Sequence, residues 1–211
     1  MKYALIAFDF DGTLADTLPW MESILHDVAE KFGFRKPDAQ ERAQLRQHNA
    51  FDIMKQLGIP IWKAPAILGF VRQSMEEAVP KVALFPGIDA MLRALHASGA
   101  RLAVVSSNST ANVQRVLGPE LSALIHDFAC GSDLFGKPAK LEHLLRATQT
   151  EAAQAILIGD EIRDIEAARK VGVASGIVAW GYNREQVLRE QAPDFVFTDV
   201  QDLARTLLPS A

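Results

Sequence analysis

The chain has 211 residues and a formal net charge of −4, with 49% hydrophobic and 23% charged side chains. This length gives room for one large domain or for a core with a smaller insertion, and the composition is typical of a globular protein. The acidic balance argues against a nucleic-acid surface, and no apolar run approaches the ~20 residues that a membrane-spanning helix needs.

The cysteine content and the N-terminal residues bear on the compartment. Cys130 is the single cysteine, which excludes an intrachain disulfide and indicates a reducing environment. The apolar stretch before the first acids has only six residues, residues 3–8, and is too short for a signal peptide. We therefore expect a cytoplasmic protein.

The first predicted element is a strand over residues 3–8, an unbroken apolar run typical of a strand covered on both faces in a parallel sheet. Asp9 and Asp11 follow it and point the same way, while Phe10 enters the core. Ligands of open α/β sheets bind at this end of the strands. Two carboxylates this close repel each other unless a cation or hydrogen-bond donors compensate their charge. A hard divalent metal is the natural candidate, and oxygen ligands beside a phosphate favour Mg²⁺. Taken alone, the pair also fits acids that cap a solvated loop.

Helical patterns then replace strand patterns until residue 82. The first predicted helix of this segment is capped by Asp16 or Thr17 and runs towards Phe32, where Gly33 ends it. Three further predicted helices cover residues 38–47, 50–57 and 64–78. Further along, apolar runs alternate with helical segments; these runs are residues 102–105, 155–158 and 173–178. Such alternation indicates a doubly wound parallel sheet. We therefore predict an α/β, Rossmann-like core formed by residues 1–15 and 83–211, with an all-helical insertion over residues 16–82.

Polar residues stand at three further ends of core elements. Ser106 and Ser107 follow the second core strand, where their hydroxyl and backbone N–H groups can hold a phosphate. Lys137 directly precedes a helical segment, and Asp160 ends a buried strand with Asp164 one helical turn later. Each feature alone also fits a simpler structure: a serine loop, a solvated lysine or an acidic helix start.

In order and spacing these segments resemble the motifs of the haloacid dehalogenase superfamily of phosphotransferases and hydrolases. The resemblance is carried by residues 8–14, Phe-Asp-Phe-Asp-Gly-Thr-Leu, and by the Gly-Asp-x-x-x-Asp pattern of residues 159–164. The helical insertion is similar to the small helical cap of the family, and residues 181–195 resemble the tail of phosphoglycolate-phosphatase-like members. The resemblance implies Mg²⁺-dependent hydrolysis of a small phosphorylated metabolite, with no nucleic-acid or membrane partner.

The resemblance also implies roles for single residues. Asp9 is expected to be the nucleophile that attacks phosphorus, and Asp11 the acid that protonates the leaving oxygen and then activates water. Ser106 and Lys137 are expected to bind the phosphoryl oxygens. Ser107, a further candidate phosphate ligand, stands where phosphoglycolate phosphatases often have asparagine, which weakens an assignment to glycolate.

The expected metal ligands come from the first and the last motif. The resemblance implies that Mg²⁺ is held by the carboxylates of Asp9 and Asp160 and by the main-chain carbonyl of Asp11. Asp164 is expected to support the metal directly or through another ligand, and Glu161 is an alternative in that supporting position.

Substrate specificity is expected to come from the insertion, because the core motifs handle only the phosphoryl group. The segment between two predicted helices of the insertion matches the substrate-specificity loop of the family, and its candidates are Arg46, His48 and Asn49. Two alternatives stay open: a sugar phosphomutase, which returns the phosphoryl group to another hydroxyl, and a phosphorylatable signalling or binding module. No motif of a mutase cap is present, and Asp11 with a complete last motif argues against the signalling module.

Overall fold

A computed structural model of the protein describes residues 2–131 and 136–209. Within these residues the main sheet has six strands, all parallel, in the order β5-β4-β1-β6-β7-β8. The strands of this sheet are β1 (Leu5–Phe8), β4 (Arg101–Val105), β5 (Asp127–Ala129), β6 (Ala155–Gly159), β7 (Ala174–Val178) and β8 (Phe195–Phe197). The predicted α/β fold with a doubly wound parallel sheet is confirmed.

Helices cover this sheet and fill the predicted insertion. They are α1 (Leu18–Phe32), α2 (Ala39–Leu45), α3 (Ala50–Gln56), α4 (Ala64–Ala78), α5 (Ile88–Ala97), α6 (Thr110–Ser122), α7 (Lys137–Thr148), α8 (Ile162–Val171), α9 (Glu185–Glu190) and α10 (Val200–Leu207). Within the described residues, none of the helices combines the length and the apolar character needed to cross a bilayer.

Strand β1 occupies the middle of the sheet and is buried along its whole length. It pairs with β4 on one side and with β6 on the other, so that Phe8 lies opposite Val104 and Ile158. All three strands run in the same direction, and their carboxyl ends therefore meet at one edge of the sheet. The residues that follow Phe8, Val105 and Gly159 are brought together there.

The chain leaves and re-enters the core through a short ribbon that the sequence analysis did not predict. Strand β2 (Ala15–Asp16) pairs antiparallel with β3 (Ala83–Leu84). Helices α1 to α4 lie between these two strands along the chain. The ribbon was missed because strands this short leave no period in the sequence. The division into domains at residues 16 and 82 stays a prediction.

The connection between α2 and α3 is longer than predicted. We expected a helix to residue 47, but α2 ends at Leu45. The side chain of Asn49 then accepts a hydrogen bond from the backbone N–H of Asp52 and caps α3. An asparagine at the N-cap has a non-helical backbone, and its side chain satisfies a backbone N–H of the first helical turn. Residues 46–49 therefore form a turn at the edge of the insertion.

Burial of β1 predicts how the sheet responds to truncation. Ile6 is fully buried, whereas Ile61 is 43% exposed. We expect Ile6→Ala to lower the free energy of unfolding by about 2–5 kcal/mol, because it removes buried methyl groups and leaves a cavity. The matched change Ile61→Ala should stay within about 0.5 kcal/mol of the wild type. Denaturant unfolding of the three proteins measures both effects, and equal losses would contradict the central position of β1.

Candidate active site

Buried carboxylates gather where β1 and β6 end. Asp9, Asp160 and Asp164 are each at most 1% exposed, and one carboxylate oxygen from each lies within 4.8 Å of the other two. Asp9 follows β1 and Asp160 follows β6, while Asp164 comes from the first turn of α8. Like charges at this separation repel strongly in a buried site. A cluster of this kind can hold a cation.

Lys137 supplies the positive charge that the cluster contains in this structure. It is only 4% exposed, and its Nζ lies 2.8 Å from Oδ2 of Asp9 and also contacts Asp164. Burial alone would lower the pKa of this amine, but the adjacent carboxylates outweigh it and raise the pKa. Lys137 therefore stays charged, and its single charge leaves the cluster with a negative excess.

Asp164 is fixed by backbone donors as well as by Lys137. Its Oδ2 accepts hydrogen bonds from the N–H groups of Asp160, at 3.0 Å, and Glu161, at 2.9 Å. Burial raises the pKa of this carboxyl, but Lys137 and Arg163 outweigh burial and hold the pKa below its ordinary value. Asp164 is thus an ionised residue that positions the lysine and the start of α8.

Asp160 has the opposite electrostatic environment. Burial, reinforced by the neighbouring carboxylates, raises its pKa well above the ordinary value. Its oxygens accept hydrogen bonds from Oγ1 of Thr13, at 2.8 Å, and from the N–H of Tyr182, at 2.6 Å. A Cβ on either Gly12 or Gly181 would come within 2.1 Å of Asp160. The carboxyl therefore sits in a pocket that only glycines leave open.

Asp11 lies beside the cluster on the side of the insertion. The Nδ2 group of Asn108 donates to its oxygens at 3.2 and 3.3 Å. Burial, followed by the charge of Asp9, raises the pKa of Asp11 from 3.8 to about 6. Sequence reasoning placed Asn108 in the same loop as the two serines but did not identify it as the partner of Asp11.

The two serines occupy different surroundings. Ser106 is fully buried, and its Oγ accepts a hydrogen bond from the N–H of Asn108 at 3.0 Å. Its carbonyl oxygen accepts a hydrogen bond from Nζ of Lys140 at 2.8 Å, which fixes the loop after β4. Ser107 is only partly buried and faces the neighbouring cavity.

A cavity of about 340 Å³ lies between helices of the insertion and the loops at the sheet edge. Asp11, Ser107 and Asn108 line its end at the sheet edge, and most of the remaining wall is apolar. Arginines also line it within the described residues; these are Arg42, Arg46, Arg72 and Arg163. Glu161 borders the cavity as well, where its Oε1 lies 2.5 Å from Nη2 of Arg163. The cavity approaches the acid cluster through Asp11, which lines the cavity and lies two residues after Asp9.

The candidate specificity segment, residues 46–49, forms hydrogen bonds with the core. Nε and Nη2 of Arg46 donate to the carbonyl oxygens of Tyr182, at 2.7 Å, and Gly181, at 2.9 Å. The Nδ2 group of Asn183 donates in turn to the carbonyl oxygens of Arg46, at 2.9 Å, and His48, at 3.1 Å. These four hydrogen bonds join the turn of residues 46–49 to the loop after β7.

This geometry separates the three specificity candidates. Arg46 lines the cavity, whereas His48 and Asn49 are absent from its described wall. The side-chain oxygen of Asn49 is used to cap α3. Sequence reasoning did not identify Asn183. The available signal was a polar residue in the Gly-Tyr-Asn segment that follows a core strand.

The sequence of this chain matches a known family over most of its length. The sequence model of one family, haloacid dehalogenase-like hydrolase, matches residues 6–178. The chain belongs to this family. The match spans the strand that precedes Asp9, the helical insertion and the acids that follow β6, so the resemblance expected from the motifs is confirmed.

Curated relatives of the haloacid dehalogenase-like family are similar over their full length. A phosphoglycolate phosphatase of Synechococcus elongatus is 34% identical over 203 residues, covering 96% of both chains. A phosphoglycolate phosphatase of Vibrio cholerae is 30% identical over 226 residues, covering 98% of both. The expectation of a phosphatase of this family is confirmed.

Solved structures share the fold. A haloacid dehalogenase-like family protein from Streptococcus pneumoniae superposes with a TM-score of 0.79 at 21% identity, covering 97% of this chain and 98% of that one. CbbY from Rhodobacter sphaeroides, solved in complex with phosphate, gives a TM-score of 0.66 at 21% identity, covering 95% and 96%. At these identities the likeness establishes the fold alone.

The raised pKa of Asp11 predicts a dependence of stability on pH. Asp11 binds its proton more tightly in the folded chain, where its pKa is about 6, than in the unfolded chain, where it is near 3.8. Its contribution to the free energy of unfolding is therefore lost as the pH rises from about 4 to about 6. In metal-free buffer, the wild type should lose on the order of 2 kcal/mol relative to Asp11→Asn over this interval. Parallel urea-unfolding profiles of the two proteins from pH 4 to pH 7 would contradict the raised pKa.

Proposed function

We propose that this phosphatase hydrolyses a small phosphomonoester in two steps, with Mg²⁺ bound and with Asp9 as the nucleophile. The observation that carries the proposal is the position of Asp9. Its Oδ2 is buried, accepts no hydrogen bond among the described residues and lies 2.8 Å from Nζ of Lys137. A carboxylate needs no deprotonation at neutral pH to act as a nucleophile. Oδ2 of Asp9 thus accepts no hydrogen bond and lies beside Lys137, the cation that we propose binds the phosphoryl group.

The donor set at this site fits a hard divalent cation. Carboxylates of Asp9, Asp160 and Asp164 converge in a buried cluster whose negative charge Lys137 balances only in part. Oxygen ligands beside a phosphate favour Mg²⁺ over transition metals. We propose that Asp9, Asp160 and the main-chain carbonyl of Asp11 hold the ion and that Asp164 supports it. When bound, Mg²⁺ neutralises charge on the phosphoryl oxygens.

In the first step, an oxygen of Asp9 attacks phosphorus and the bond to the leaving oxygen breaks. Asp11 donates its proton to that leaving oxygen, which departs as a neutral alcohol. A pKa of about 6 keeps Asp11 partly protonated near neutral pH, and this is the state that the step requires. Lys137 and the Ser106 loop bind the phosphoryl oxygens during the transfer.

In the second step, water attacks the phosphorus of the aspartyl phosphate. Asp11 is now ionised and takes a proton from the water, and the bond between phosphorus and Asp9 breaks. Inorganic phosphate leaves, Asp9 regains its carboxylate and Asp11 regains its proton. Splitting the reaction in this way allows one residue to act first as acid and then as base.

The first substrate to assay is 2-phosphoglycolate. The relatives from Synechococcus elongatus and Vibrio cholerae carry the name phosphoglycolate phosphatase, and both align over nearly the whole chain. We propose that residues of the helical insertion discriminate between leaving alcohols, since the core residues described above contact the phosphoryl group and the metal.

The nucleophile assignment predicts the effect of one isosteric change. We expect Asp9→Asn to lose more than about 10³-fold in kcat, because a neutral amide is a poor nucleophile and cannot form the aspartyl phosphate. Free phosphate released from 2-phosphoglycolate or an aryl phosphate measures the loss. Asp27→Asn, at an exposed position of α1, is the matched control and should keep wild-type activity. Residual activity of a few per cent in Asp9→Asn would refute the assignment.

The proposed metal site predicts a dependence on Mg²⁺ that can be seen with and without turnover. Chelator should abolish hydrolysis, and Mg²⁺ should restore it better than Ca²⁺, whose larger and more flexible coordination misplaces oxygen ligands. Because a ligand that binds only the folded state stabilises it, Mg²⁺ at about 100 times its Kd should add about 2.7 kcal/mol to the free energy of unfolding.

The matched variant for the metal site is Asp160→Asn. This variant should lose the stabilisation by Mg²⁺, measured as the shift in Tm between chelator and saturating Mg²⁺. Full activity of the wild type in excess chelator, or an equal Tm shift in Asp160→Asn, would show that the ion does not bind at this cluster.

A further inference from the structure

Arg72 is a cation at the cavity that no residue of the described chain neutralises. It lies on α4 and lines the cavity, and its Nε and Nη2 are buried without a hydrogen-bond partner. Over residues 2–131 and 136–209, it forms no ion pair with any carboxylate. Outside the backbone of α4, its carbonyl oxygen accepts a hydrogen bond from Nδ2 of Asn112 at 3.0 Å.

The other arginines of the cavity wall differ from Arg72 in this respect. Nε of Arg42 lies 3.6 Å from a carboxylate oxygen of Glu22, and Arg163 pairs with Glu161. The guanidinium of Arg46 donates to two backbone carbonyls. Nε of Arg42 and Nε and Nη1 of Arg163 also lack a hydrogen-bond acceptor, but both guanidinium groups lie near a carboxylate. Within the described residues, Arg72 is therefore the arginine of the cavity that combines buried, unpartnered guanidinium nitrogens, Nε and Nη2, with the lack of any ion pair or backbone acceptor for them. Burying donors without acceptors costs about 1–3 kcal/mol per group, and more for a charged one. A bound anion would recover that cost.

The position of Arg72 fits the leaving group rather than the transferred phosphoryl group. Met75, one helical turn along α4, has its Sδ 2.9 Å from Nδ2 of Asn108, the group that also donates to Asp11. Asn112, which donates to the carbonyl of Arg72, also donates to Oδ1 of Asn108 at 3.1 Å. Arg72 is thus connected to the proposed acid, Asp11, whereas Lys137 contacts the proposed nucleophile, Asp9.

We propose that Arg72 determines specificity by pairing its guanidinium with a carboxylate on the leaving alcohol. This inference rests on the proposed function, because it assumes that a phosphomonoester places its leaving group in the cavity. One guanidinium matches the single charge and the two oxygens of a carboxylate and can bind it through parallel hydrogen bonds. Apolar neighbours on α4, among them Leu68 and Val71, line the same cavity and exclude water around the pair.

A pair of substrates that differ only in this group tests the proposal. 2-Phosphoglycolate carries the carboxylate, and 2-hydroxyethyl phosphate has a neutral CH₂OH group in its place. We expect the wild type to prefer 2-phosphoglycolate in kcat/KM. We expect Arg72→Met to lower kcat/KM for 2-phosphoglycolate by about 100-fold, the scale of a hydrogen bond to a charged group. The loss in kcat/KM for the neutral ester should be at least tenfold smaller. Arg72→Lys should recover part of the loss, because it keeps the charge without the bidentate geometry.

Two further measurements separate a binding role from a structural one. Arg93→Met, at an exposed position of α5 away from the cavity, controls for loss of an arginine and should behave as the wild type on both esters. The Tm of Arg72→Met should not fall, since an unpaired buried charge is replaced by an apolar side chain of similar length.

The outcomes distinguish this inference from the proposed function. A wild type that hydrolyses both esters without preferring 2-phosphoglycolate, or an Arg72→Met variant that loses equally on both or on neither, would overturn the role of Arg72 and leave the phosphatase mechanism standing. A wild type that hydrolyses neither ester nor an aryl phosphate would refute the proposed function itself.

Discussion

The structure of this phosphatase depends on how the repulsion between buried carboxylates at the end of its central strand is compensated. Asp9, Asp160 and Asp164 are buried within 4.8 Å of one another, and Lys137 offsets only part of their charge. Removing ionised groups from water costs several kcal/mol each unless charges and hydrogen bonds replace the solvent. The neighbouring backbone does part of this work, since the N–H groups of Asp160, Glu161 and Tyr182 donate to the carboxylates.

The same cluster leaves no space for a side chain at two neighbouring backbone positions. Gly12 has a φ of 79°, in the left-handed region, and a Cβ there would strike Asp160. Gly159 is constrained from the other side, because a Cβ at this position would come within 2.1 Å of Asp164. A side chain at either position would displace an acid of the site, and at Gly12 it would also strain the backbone. Both glycines therefore leave space for the carboxylates, one after β1 and the other at the end of β6.

Much of the fold could be read from the sequence because its signals are local. The apolar run before Asp9 marks a strand buried on both faces, and regular alternation after residue 83 marks the parallel sheet. The positions of Asp160 and Lys137 at the ends of core elements also follow from neighbouring residues. By contrast, the hydrogen bond from Asn108 to Asp11 joins groups 97 residues apart. Likewise, Nε and Nη2 of Arg72 lack acceptors because none of the described residues places an acceptor beside them. Such facts belong to tertiary structure and leave no pattern along the chain.

Hydrogen bonds to backbone carbonyl oxygens connect the helical insertion to the core. Arg46 donates to the carbonyl oxygens of Gly181 and Tyr182, and Asn183 donates to those of Arg46 and His48. Every residue type has a backbone carbonyl, so the side chains at Tyr182 and His48 can change while the acceptors remain. A substitution at Tyr182, which lines the cavity, or at His48 therefore keeps the acceptors of these hydrogen bonds in place. The cavity wall can thus change at such a position while the insertion stays attached to the sheet.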